Sequence, residues 1–213
     1  MIQPRDFWSF YTHFIGAILS LLAVIFLTAK PAITGNVSTP SVLGALIFGL
    51  SLLALYAASS VYHYVKLPPE ALVRLRKLDH AMIYVLIAGT YTPVTLGFMN
   101  PSDATAFLSV IWGVAAVGIV MKLFWLNAPR WLYTSLYIVM GWAIVFDWNA
   151  FSGVPAGCLA LIGAGGISYT LGAVFYATKK PNFSEKFGFH ETFHLFVVLG
   201  SVLHFTAVYF YII

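Results

Sequence analysis

The chain has 213 residues, of which 61% are hydrophobic and only 8% charged, and it carries a net charge of +4 with a mean hydropathy of +0.89. No soluble domain has a core large enough to hide that much apolar surface, so the composition excludes a soluble enzyme and points to a membrane protein. With charges this sparse, the basic excess does not indicate a nucleic-acid partner; the positions of the basic residues instead carry the topology.

Crossing a bilayer takes roughly 17 to 25 apolar residues. Seven such stretches follow one another, near residues 8–29, 41–65, 79–98, 104–125, 131–148, 155–177 and 188–212. The first holds His13 and is followed by Pro31, Gly35 and Pro40. The second ends AASSVYHYVKL, with Ser59 one helical turn before His63, and Pro68-Pro69 follow. The third opens KLDHAMIYV, which places Asp79 and His80 at its start. Asn100-Pro101 and Asn127-Ala128-Pro129 bound the fourth, Gly153 and Pro155 follow the fifth, and Pro181-Asn182 follow the sixth. That sixth stretch contains Cys158, the single cysteine, so no intrachain disulfide is possible. The seventh opens FGFHETFH and also holds His204.

The stretches are continuously apolar, as in VLGALIFGLSLLALYAASSVY, and lack the alternation of barrel strands. The expected fold is all-α: a polytopic seven-transmembrane helix bundle in the cell (inner) membrane, forming a single domain over residues 1–213, with no cleavable signal peptide. Arg5, Lys66, Arg74, Arg76, Lys77, Lys122, Arg130, Lys179, Lys180 and Lys186 fall in segments that share one face, and only Lys30 falls on the other. The positive-inside rule then places the N-terminus in the cytoplasm and the C-terminus outside. Trp125 and Trp131 suit the inner aromatic belt and Trp148 the outer one.

Ionisable groups within a span are costly to insert and mark function by default. His190 and His194 lie four apart, about 40° around a helix, so both imidazoles face one way and can share a metal. Span order brings His63 and Asp79 to the same depth near the cytoplasmic side. Imidazole and oxygen donors suit zinc, and iron or nickel are compatible with them. Ser59 either bonds its own backbone or reaches the metal's water or Asp79, and Asp79 either caps the third helix or serves the site. His204 is too far along its helix to join the set. It, His13 and His80 read best as histidines bonded to neighbouring helices.

His190-Glu191-x-x-His194 also spells the metalloprotease motif HExxH. Glu191 is turned about 100° from His190, however, and the extended protease pattern needs glycine and histidine where this chain has Val197 and Gly200. The motif reads as accidental.

The segments THFIGA (12–17), SSVYHY (59–64), KLDHAMIYVLIAGTYTP (77–93) and FGFHETFHLFVVLGSVLHF (187–205) together resemble the haemolysin III family, the bacterial branch of the progestin and adipoQ receptor group. They also look like the wider superfamily that includes alkaline ceramidases. The resemblance implies that His63, His190 and His194 hold zinc, that Asp79 contacts it through water, and that Ser59 stands behind them. The leading expectation is a zinc-dependent hydrolase of a lipid amide or ester, with Asp79 and Ser59 as its catalytic groups. Its partners are membrane lipids, from which the lipid substrate enters. The alternatives are a receptor-like regulator with structural zinc and a haemolysin-type cytolytic protein.

Overall fold

The computed structural model describes residues 3–35 and 37–213, which form seven α-helices and no strand: α1 Phe7–Thr34, α2 Thr39–Tyr64, α3 Pro69–Phe98, α4 Pro101–Phe124, α5 Arg130–Gly141, α6 Ala156–Thr178 and α7 Phe189–Tyr211. The breakers in the sequence act as helix punctuation. Proline occupies the first turn of α2, α3 and α4, where its missing N–H goes unneeded. The side chains of Ser38 and Asn100 cap α2 and α4 by accepting from Ser41 N at 3.3 Å and Asp103 N at 3.0 Å. Gly35, at φ 67°, closes α1 in the left-handed conformation.

Two boundaries depart from expectation. α1 continues through Pro31 to Thr34. α3 begins at Pro69, ten residues before Asp79, because the strong helix formers of EALVRLRK extend the apolar part backwards from its polar end. Asp79 therefore lies nearly three turns inside α3 and is not its cap.

Successive helices run antiparallel. At one end Asp6 N donates to His63 O at 3.1 Å, Lys77 Nζ donates to Leu123 O, and Arg130 Nη1 donates to Tyr176 O at 2.9 Å. These contacts gather the starts of α1, α3 and α5 with the ends of α2, α4 and α6. At the other end Lys30 Nζ donates to Tyr209 O at 2.6 Å, near the close of α7. The basic residues thus collect at one end of the bundle, with Lys30 apart. Lys122 belongs to that basic end but lies inside the bundle, fully buried, with Nζ 3.1 Å from the centre of the Tyr133 ring.

Six of the seven helices are long and apolar enough to cross a membrane. The fifth stretch was expected to be one helix over 131–148. Instead α5 stops at Gly141, and two 3-10 turns follow, Ala143–Val145 and Trp148–Phe151. A side chain from α3 causes the break: Tyr91 Oη donates to Gly141 O at 2.6 Å and accepts from Ile144 N at 3.3 Å, replacing the helix's own ladder bonds.

α2 and α3 meet backbone to backbone, since a β-carbon on Gly44 would stand 2.7 Å from Pro93 Cα. The short α5 packs less closely, and a cavity of about 280 Å³ opens among α3, α5, α6 and α7.

Candidate metal centre

His63 comes from the last turn of α2, and His190 and His194 come from the first two turns of α7. One nitrogen from each lies within 4.8 Å of the other two, and among the described residues these three form the only such group of metal-ligating side chains. His63 and His194 are buried and His190 is half-buried. Nε2 of His190 stands 3.3 Å from Nε2 of His63, and the rings of His190 and His194 are 4.5 Å apart.

The outer nitrogens decide which way the inner ones present. His63 Nδ1 is 2.9 Å from Asp6 Oδ2. Burial alone would raise the Asp6 carboxyl, but the hydrogen bonds from His63 and Arg5 overcome it and hold the group at about 2. The carboxylate is therefore ionised and only accepts, so His63 Nδ1 carries the proton and Nε2 offers a lone pair. His194 Nδ1 lies 3.2 Å from both Ser9 O and Thr12 Oγ1. The carbonyl only accepts, and the Thr12 hydroxyl spends its hydrogen on Trp8 O at 2.9 Å, so Nδ1 is the donor and Nε2 of His194 is a lone pair as well. Converging imidazole lone pairs repel one another unless a cation sits among them. The donor set therefore fits a divalent metal that favours nitrogen.

Asp79 is 9% exposed and lines the cavity together with His13, His80, His190 and His194. It stands outside the three-histidine group. Ser59 lies one turn before His63, wholly buried, with its Oγ facing the Asp79 carboxyl beyond close hydrogen-bond distance. The structure thus brings His63, His190 and His194 together, and sets Asp79 in the wall of the cavity that His190 and His194 open onto.

The remaining histidines divide. His204 bonds the neighbouring helix as expected, with Nε2 donating to Ile162 O at 3.0 Å. His13 does not: its ring stacks on His194 at 3.5 Å and 10°, and both its nitrogens lack partners. His80 Nδ1 also lacks one. Glu191 takes no part in the cluster. Its carboxylate accepts from Ser9 Oγ at 2.6 Å and from Gly188 N at 2.9 Å, closing the first turn of α7. That accounts for the glutamate in HExxH without peptide chemistry.

Sequence reasoning missed Asp6 and Ser9, the two outer partners. Asp6 is a lone acid just before an apolar run, and nothing in its local sequence points to His63, fifty-seven residues on. Ser9 acts through its backbone carbonyl, which no side-chain pattern records.

A family profile described as "Haemolysin-III related" matches residues 3–205. The chain is 36% identical to "Hemolysin-3 homolog" of Bacillus subtilis (strain 168) over 94% of this chain and 91% of that one. It is likewise 36% identical to "Hemolysin-3" of Bacillus cereus, over 95% and 89%. More distantly, it is 28% identical to the "Monocyte to macrophage differentiation factor" of Homo sapiens, over 79% and 70%.

Asp6→Asn keeps the shape of the outer partner and removes its charge. The expected outcome is a fall in affinity for a divalent cation of about 10- to 100-fold, measured by competition between cobalt(II) and a chromogenic chelator. Unchanged affinity would contradict a role for the Asp6 charge at the cluster. Because the folded Asp6 sits below its ordinary 3.8, its contribution to stability is present above that value and disappears as pH falls toward 2.

Proposed function

The chain belongs to the haemolysin III family and is a multi-pass membrane protein; from that membership and the buried histidine cluster we propose a zinc-dependent hydrolase that cleaves an amide or ester bond of a membrane lipid. The observation that carries the reading is one cavity holding both halves of such a reaction. His190 and His194 open onto it, Asp79 lies in its wall, and the rest of its lining is largely apolar, including Ile83, Leu86, Val197 and Phe193.

Zinc held by the three imidazoles supplies Lewis acidity, enough to bring the pKa of a water to about 7. Asp79 accepts a proton from the attacking water as its oxygen bonds to the acyl carbon. Its place outside the histidine group suits contact through water. Ser59, whose buried hydroxyl lies beside Asp79 and not on the cavity wall, orients that carboxylate. Asp79 then returns the proton to the departing nitrogen or oxygen, leaving a carboxylic acid and an amine or alcohol. The apolar wall takes the acyl chain and keeps bulk water out.

A second reading is a receptor-like regulator in which zinc ties α2 to α7. It draws on the placement of His63 on one helix and His190 and His194 on the other. The cytolytic reading draws only on the relatives' printed name, "Hemolysin-3", and a mostly apolar cavity offers no continuous polar lining for a conducting pore.

The topology proposal is a cytoplasmic N-terminus, drawn from the basic residues gathered at one end. Cys158 is buried, so a Lys66→Cys variant carries one reactive thiol. In intact cells it should resist an impermeant maleimide, and ready labelling from outside would reverse the topology.

The chemistry is tested by offering ceramides, lysophospholipids and other acyl lipids to the wild type, to Asp79→Asn and to a His190→Ala, His194→Ala double variant. Asp79→Asn should keep its zinc and lose on the order of 10² to 10⁴ in rate, and the double variant should lose both zinc and turnover. No turnover of any lipid, with zinc lost from Asp79→Asn, favours the regulator.

A further inference from the structure

His80 follows Asp79 in α3 and lines the same cavity. It is 8% exposed, and its two ring nitrogens are placed differently. Nδ1 is sealed inside the protein and has no partner. Nε2 has no partner either, but it keeps accessible surface, so it is the nitrogen that the cavity's contents can reach.

The charges beside the ring are cations: Arg76, one turn earlier on the same face of α3, and Lys122 of α4. Arg76 is half-buried, and among the described residues no carboxylate forms an ion pair with either cation. A ring in that company is a neutral imidazole with one proton. Lys122 Nζ is enclosed and without an acceptor, as Nδ1 is, and a lone pair on Nδ1 suits a cation there better than a second N–H. The proton therefore belongs on Nε2, where something in the cavity can accept it. What suits this wall is an oxygen acceptor, and one that gains negative charge suits it best, because Arg76 stands behind the donor.

The acyl oxygen of a lipid under attack is such an acceptor. Neighbouring side chains on a helix point about 100° apart, which separates their tips by roughly 8 to 9 Å when they stand about 5–6 Å from the axis. A water bonded to Asp79, an acyl carbon about 3–3.5 Å beyond it and a carbonyl oxygen about 2.9 Å from Nε2 span a gap of that size.

We propose that His80 Nε2–H holds the acyl oxygen of the bound lipid and meets the negative charge that develops there as water adds to the acyl carbon. His80 donates a hydrogen bond and keeps its proton. The inference rests on the reading above that the cavity takes a lipid amide or ester, and it adds the protein group that faces the carbonyl.

The probe is 2-nonadecanone, a long-chain ketone with an acyl-like carbonyl and no bond to cleave. Its binding is read by displacement of the fluorescent fatty acid cis-parinarate, and its carbonyl stretch by isotope-edited infrared spectroscopy. The stretch should lie at lower frequency in the wild type than in His80→Phe, and His80→Gln, whose amide nitrogen stands near the position of Nε2, should restore the lower value. Should His80→Phe fail to fold, His80→Asn takes its place, since its amide reaches only as far as Nδ1. On a lipid that is turned over, His80→Phe should lower kcat about 10²- to 10³-fold, with KM, zinc content and pH profile unchanged. A bound ketone with the same stretch in the wild type and His80→Phe overturns the inference. So does a shift lost in His80→Phe and His80→Gln alike, which marks a packing role, or the loss of one limb of the pH profile, which marks a proton carrier. Failure of 2-nonadecanone to displace the probe is a different result: it removes the acyl-chain reading, and this inference with it.

Discussion

A buried imidazole has two nitrogens to satisfy, and the use of one is set by the partner of the other. In this bundle Asp6 accepts a hydrogen bond from Nδ1 of His63 and the Ser9 carbonyl accepts one from Nδ1 of His194, leaving two Nε2 lone pairs facing the same small space as His190. The start of α1 contributes no ligand, yet it determines what the other helices can hold. It is itself pinned there by Asp6 N on His63 O and by Ser9 Oγ on Glu191. Fold and site thus share their fastenings, and loosening the N-terminal segment loosens the histidine cluster.

Much of this was legible from spacing. Helical periodicity puts His190 and His194 on one face, and the alternation of spans puts His63 and Asp79 at their depth. The structure brings the three histidines together and sets Asp79 beside them in the cavity wall. What stayed hidden depends on contacts distant in sequence. The break in α5 is imposed by Tyr91, fifty residues earlier, and apolar length alone cannot register a side chain inserted from another helix. Lys122 reads as an interfacial cation but is folded under the Tyr133 ring. Asp79 reads as a helix start because hydropathy marks where α3 becomes apolar, whereas the helix itself begins at Pro69.

The break in α5 also bears on the cavity. A straight fifth helix would pack along its neighbours. A short one, relayed through 3-10 turns, leaves room between α3, α6 and α7, and that room connects the histidine cluster to the level of His204. Tyr91 is thus a structural residue with a functional consequence, since it keeps open the volume on which any lipid chemistry depends. The motif HExxH, by contrast, loses its apparent meaning once Glu191 is seen capping α7. Sequence identity with a catalytic pattern is no substitute for the position of the carboxylate.

The central claim is that three converging imidazoles from two helices, two of them oriented by the start of α1, hold a metal. Its most direct test is X-ray absorption at the zinc edge on protein purified without added metal, together with elemental analysis. The account predicts about one zinc per chain with three nitrogen donors at about 2.0–2.1 Å, and loss of that signal when His63 is replaced by alanine. Substoichiometric metal in the wild type, or an unchanged nitrogen shell in His63→Ala, would contradict it.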